Sequence, residues 1–229
     1  MNRTDKNGGE RATLASTVYE RLRHDIMRGE LPPGEKLRAE FLRERYEVGN
    51  SPVREALNRL AADGLVLRKD QKGFRVANAS REDLEELAKT RCWLEEIALR
   101  ETMANRTVAW EEALVLAFHR LSRAPRSSSE KAYQKNPEWE RLHREFHMTL
   151  IGGSGSRWLL AFCGQLNDQA ERYRQLAIRA IYPKRNELDE HRAIFDAAID
   201  GDADEAVRLL MEHYRKTAEI IQASGAKLQ

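Results

Sequence analysis

At 229 residues, with 41% hydrophobic and 33% charged side chains, the chain can bury one large core or two modest ones, which excludes a disordered polymer. Its formal charge of +2 is unevenly divided: residues 1–79 carry 16 Lys+Arg against 12 Asp+Glu, and residues 80–229 carry 23 against 25, so only the first part leans toward a polyanion. No stretch approaches the roughly 18 apolar residues of a membrane span, and the polar start MNRTDKNGGERAT lacks the apolar segment of a secretory signal.

Residues 1–11 read as a flexible tail. In TLASTVYERLRHDIMRGEL, Leu14, Val18, Leu22 and Ile26 recur at helical spacing and Gly29 ends the helix. LPPGEKL forces a turn before a short second helix, RAEFLRERY. A third helix follows in VGNSPVREALNRLAADGLV, with Ser51 predicted as its N-cap, Pro52 at the first helical position and Val53, Leu57 and Leu60 as its apolar stripe. LVLRKDQKGFRV reads as two short strands joined by a charged turn. Three helices and a basic hairpin over residues 12–79 outline a winged helix-turn-helix.

That outline suits double-stranded DNA. The N-terminal end of a helix after a tight turn can enter the major groove, and Asn50, Ser51 and Arg54 stand there. The hairpin offers Arg68, Lys69, Lys72 and Arg75 around Gly73, contacts that set affinity more than sequence preference.

From Ser80 to the end, residues 80–229, the pattern is helical throughout. SREDLEELAKTRCWLEEIALRETMA opens with Ser80 as N-cap and Asp83 three residues on. Further helical runs are expected over 108–121, 136–151, 156–180, 185–200 and 203–222, with RAPRSSSEK (123–131) as a surface loop and breaks at GGSGS, Pro183 and DGDAD. The two cysteines, Cys92 and Cys163, lie far apart in helical segments and read as reduced, partly buried thiols of a cytoplasmic protein.

Of six histidines, His143 and His147 stand four apart in RLHREFHMTL, on one helix face. A zinc-protease motif would have its glutamate directly after the first histidine. Arg144 stands there instead, and Glu145 points roughly 200° around the helix from His143. His191 and His213 lie on the last two helices, so three helices can bring imidazoles to one ion, as helical bundles do. Spacing alone equally allows four ordinary structural histidines.

The run LPPGEKL…NSPVREALNRLAADGLVL…KGFRV resembles the DNA-binding domain of the GntR superfamily of bacterial transcription regulators. With FHMTLIGGSGS and EHRAIFDAAIDGDADEA the whole chain is similar to that superfamily's FCD group. Within the group, RYEVGNSPVREAL, HREFH and AERYR look closest to the carbon-starvation-induced, glutarate-responsive type of repressor. The resemblance implies a winged helix-turn-helix followed by an all-α bundle of six to seven helices. It implies operator contacts by Arg38, Asn50, Ser51 and Arg54, with Gly73 at the wing tip. Many relatives have arginine where this chain has Asn50.

For the bundle, the resemblance implies a divalent metal, zinc or alternatively nickel, held by an aspartate or asparagine and three histidines. The corresponding residues here are His143, His147, His191 and His213, with His143 where the aspartate usually lies. It also places Arg91 in an effector pocket. Arg172, Tyr173 and Arg174 are further candidates for a small organic acid. The expected protein is a homodimeric repressor on a palindromic operator, not an enzyme.

Overall fold

A computed structural model describes residues 13–69, 72–129, 133–182, 185–224 and 228. The expected N-terminal tail, the tip of the hairpin turn, part of the 123–131 loop and the break at Pro183 lie outside the described residues. The chain divides into two compact units, the boundary falling between Asn78 and Ala79.

The first unit runs α1 (Leu14–Met27), β1 (Lys36–Leu37), α2 (Ala39–Tyr46), α3 (Asn50–Ala62), β2 (Val66–Lys69) and β3 (Gly73–Val76). Thr13 caps α1 by accepting from the Ser16 N–H. Val18, Leu22 and Ile26 of α1 then bury against Val53, Leu57 and Leu60 of α3, at roughly 1.5–3 kcal/mol for each large aliphatic side chain removed from water. Asp25, buried in α1, accepts from the Tyr46 hydroxyl and from Arg45 Nε, both at 2.8 Å, and so fixes the end of α2. Two expectations are corrected. Ser51 is not the N-cap: α3 begins at Asn50, Gly49 is the cap, and no side chain bonds its first turn. The hairpin is also not alone, because Lys36 and Leu37 pair antiparallel with Arg75 and Phe74, giving the sheet order β1-β3-β2. A two-residue strand is too short to show a period of two.

The second unit is α4 (Arg81–Ala104), α5 (Val108–Arg123), α6 (Pro137–Leu150), α7 (Arg157–Ile181), α8 (Glu187–Asp200) and α9 (Ala203–Ala223). α5 to α9 end within two residues of the runs read from the sequence. The precision has a local cause. Ser80, Thr107, Asn136, Ser156, Asn186 and Asp202 each accept a first-turn N–H of the helix they precede, at about 1 kcal/mol per cap. α4 packs on α7 and α9, α5 on α6 and α8, and α8 on α9. Leu99, Leu114, Phe146, Leu150, Ile194 and Leu210 form the middle of the core.

Candidate metal centre and nucleic-acid interface

In the first unit Arg38 precedes α2, Asn50, Ser51 and Arg54 occupy the first turns of α3, and Lys72 directly precedes Gly73, which opens β3; all six are exposed. With Gly49 as cap, the first N–H groups of α3 carry no side-chain acceptor, which favours a phosphate at that end. Gly73 sits at φ 79° with open space where a Cβ would stand, so a backbone can approach the wing closely.

In the second unit, α6 buries one face, and Leu142, His143, Phe146, His147 and Leu150 all lie on it. His191 of α8 and His213 of α9 meet that face. All four histidines are buried, and one ring nitrogen from each lies within 4.8 Å of the others. His147 Nε2 is 3.2 Å from Nε2 of both His143 and His191. Burial holds the first three rings far below the usual imidazole pKa, and the neighbouring cations add to the shift. Burial likewise lowers His213, to about 4. Neutral imidazole is the form that ligates metal.

The surroundings fit a divalent ion. The Tyr214 hydroxyl donates to Glu95 Oε2 and lies 3.1 Å from His147 Nδ1. Glu190 Oε2 is 2.9 Å from His213 Nδ1. Each partner lies on the Nδ1 side and leaves Nε2 facing the cluster, as the outer contacts of metal-ligating histidines do. Glu145 lies outside, accepting from Arg141 at 2.7 Å and Arg120 at 3.3 Å, so it is not turned to the cluster as a protease's general base would be. His24 and His119 are exposed and take no part.

The predicted effector residues separate. Arg91 is buried on the far side of Tyr214, with its guanidinium 3.8 Å from that ring, Nε 2.6 Å from Glu95 Oε1 and Nη2 3.0 Å from Asn167 Oδ1. Burial opposes its charge, and Glu95 restores it. Arg174 reaches the cluster: Nη1 lies 2.9 Å from His143 Nδ1 and 3.2 Å from its Nε2, and Nη2 is 3.0 Å from Glu140 Oε2. Tyr173 instead faces the start of α4, donating to Asp83 and accepting from the Ser80 N–H at 3.3 Å. Arg172 is buried beside it, 5.9 Å from the Tyr173 ring. A cavity of about 280 Å³ reaches His191, and Arg126, Arg185, Trp139, Tyr182 and Asn186 line it. Burial, reinforced by the charge of Arg174, lowers the Arg126 pKa to about 10.

Residues 14–76 match the model of the bacterial regulatory proteins of the gntR family, and residues 83–216 match the FCD domain. The chain belongs to the GntR family. It is a DNA-binding transcriptional regulator with an FCD domain, and not an enzyme. It is 37% identical over 213 residues to the HTH-type transcriptional regulator BphR of Paraburkholderia xenovorans, covering 93% of this chain and 87% of that one. To the HTH-type transcriptional repressor GlaR of Escherichia coli it is 33% identical, covering 91% and 96%. The solved structure of Escherichia coli McbR/YncC shares the fold, with a TM-score of 0.73 at 22% identity over 93% of this chain and 99% of that one. Among the described residues no helix is long and apolar enough to cross a membrane.

Several residues of this regulator's bundle escaped the sequence reading. Glu190 directly precedes His191, Tyr214 directly follows His213, and Glu95 stands one turn after Arg91. Adjacency to a candidate ligand was the available signal. Arg126 and Arg185 gave none, since neither adjoins a candidate ligand in the sequence.

Proposed function

We propose that this regulator is a homodimeric repressor whose FCD domain holds a divalent metal, zinc or alternatively nickel, and binds a small organic acid that releases it from a palindromic operator in the cytoplasm. One observation carries the reading: the cavity that reaches a histidine of the cluster has Arg126 and Arg185 in its wall. A metal with an open position accepts a carboxylate, and guanidinium groups can hold the same anion or its other end. The likeness to GlaR, a repressor, supports repression.

On DNA, Asn50, Ser51 and Arg54 would face the major groove, while Arg38, Lys72 and Gly73 would meet the backbone. A two-fold dimer presents two such surfaces to a palindrome. Trp93 and Ile97 of α4 and Trp158 and Phe162 of α7 are exposed large apolar side chains, of the kind that a second copy would cover. Release requires only that the acid favour one domain arrangement over another, at about 1–3 kcal/mol of coupling.

The test is a thermal-shift panel of small organic acids on metal-loaded and chelated protein, followed by operator binding with each stabilising acid. Ligands that bind only the folded state raise its melting temperature. An acid that stabilises the loaded protein, loses that effect on chelation and weakens operator binding supports the reading. Acids acting equally with and without metal would instead leave the ion a structural role and the arginines the recognition.

A further inference from the structure

The protons around the histidine cluster do not treat its four members alike. A neutral imidazole has one N–H and one lone pair, and only the lone pair can bind a metal. The Tyr214 hydroxyl has a single proton, which it gives to Glu95. Toward His147 Nδ1, 3.1 Å away, its oxygen can only accept, so His147 carries its proton on Nδ1 and turns the Nε2 lone pair to the centre. His213 Nδ1 faces the Glu190 carboxylate at 2.9 Å, an acceptor alone, with the same result. Arg185 Nη2 is farther from that nitrogen, at 3.2 Å, and bonds Glu190 and the His213 carbonyl. No guanidinium hydrogen-bonds to the His191 ring among the described residues.

His143 is different. Arg174 Nη1 lies within hydrogen-bond distance of both its ring nitrogens, 2.9 Å from Nδ1 and 3.2 Å from Nε2. Arginine has donors and no acceptor, so whichever nitrogen holds the lone pair, a guanidinium N–H occupies it. The shorter contact makes Nδ1 the acceptor and leaves Nε2–H directed at the centre. The arrangement is braced from outside. Arg174 is tied to Glu140 at 3.0 Å, Glu140 to Gln175 at 2.7 Å, and the Trp139 ring stacks on His143 at 4.7 Å. To become a ligand through Nε2, His143 would have to carry its proton on Nδ1, against the Nη1 N–H of a buried guanidinium whose Nη2 is held by Glu140.

We propose that the metal centre of this regulator is a three-histidine site of His147, His191 and His213, and that His143, held by Arg174, is an N–H donor to the carboxylate that completes it. The inference rests on reading the cluster as a metal site. Three neutral imidazoles leave both charges of a divalent ion uncompensated, so the open position selects an anion. An N–H beside that position, backed by a guanidinium, adds a charge-assisted contact to the anion rather than to the metal.

The test uses the full-length protein and its His143→Ala, His147→Ala, His191→Ala and His213→Ala variants, loaded with cobalt(II) and titrated against a chelator, with acetate as the probe carboxylate. His147→Ala, His191→Ala and His213→Ala are expected to lose more than about 100-fold in metal affinity, beyond what outer contacts contribute. His143→Ala should lose no more than the about 10–100-fold that an outer contact contributes, and keep its visible cobalt spectrum. The spectral change on adding acetate should weaken in that variant. Loss of metal by His143→Ala to the same degree as the other three overturns the proposal. A parent protein that binds no cobalt overturns the metal reading itself, a result distinct from the first. Nitrogen NMR of the metal-free parent serves if the variant does not fold: His143 should show the proton on Nε2, and a proton on Nδ1 refutes the donor assignment.

Discussion

Replacing Arg91 by methionine tests whether that residue is a waiting anion clamp or part of the bundle's interior. The residue is 6% exposed, and its partners Glu95 and Asn167 are 1% and 3% exposed. Nε is 2.6 Å from Glu95 Oε1. Removing the guanidinium strands a carboxylate in the core with only Tyr214 to solvate it. Breaking one side of a buried pair costs about 3–5 kcal/mol, or roughly 6–20 °C in melting temperature for a domain of this size. Adding Glu95→Gln removes the stranded charge while keeping an acceptor for Tyr214, so the double variant should recover at least half of the loss. Urea melts of the four proteins, taken in chelator to exclude metal linkage, measure the cycle and its coupling. A loss below about 1 kcal/mol for Arg91→Met, with no recovery in the double variant, would refute the reasoning and return Arg91 to a free anion-binding role.

Chelated protein should lose stability as the pH falls from about 6.5 toward 4, because His213 takes up its proton at the ordinary imidazole pKa when unfolded but only near 4 when folded. The sign follows from the unfolded chain binding more protons in that window, and the loss is roughly 3 kcal/mol from this group alone; a flat profile of urea midpoints between pH 7 and 4.5 contradicts it. Cys163, fully buried, has its thiol pushed up to about 12 by burial and by Glu95, and burial also raises Cys92. Both should resist Ellman's reagent at pH 8 until denaturant is added, and prompt reaction of the native protein would show the packing around α4 and α7 to be wrong. Arg54→Ala should cost about 1–3 kcal/mol on the operator and relax its sequence preference, whereas Lys72→Ala should weaken all DNA evenly and lower the salt slope by about 1. Fluorescence anisotropy across a salt series separates the two.

The sequence alone placed the helices, since a helix is written in its own residues. The 3.6-residue period of apolar side chains and cap residues such as Ser80 act within four or five positions. It also brought His143 and His147 to one face, because that is a property of a single helix. Where the reading missed, the competing choice was equally local and small: Gly49 against Ser51 as the cap of α3, and a two-residue strand with no detectable period. What the sequence left open was the company each side chain keeps. Tyr214 meets Glu95 across 119 positions and His147 across 67, and Arg174 meets His143 across 31. Arg172, Tyr173 and Arg174 are consecutive, yet successive helical residues point about 100° apart. The packing of α7 therefore sends Tyr173 to the start of α4 and Arg174 to the histidines. Only the tertiary fold decides this: burial removes water as a partner, and each buried donor must then find an acceptor on another helix.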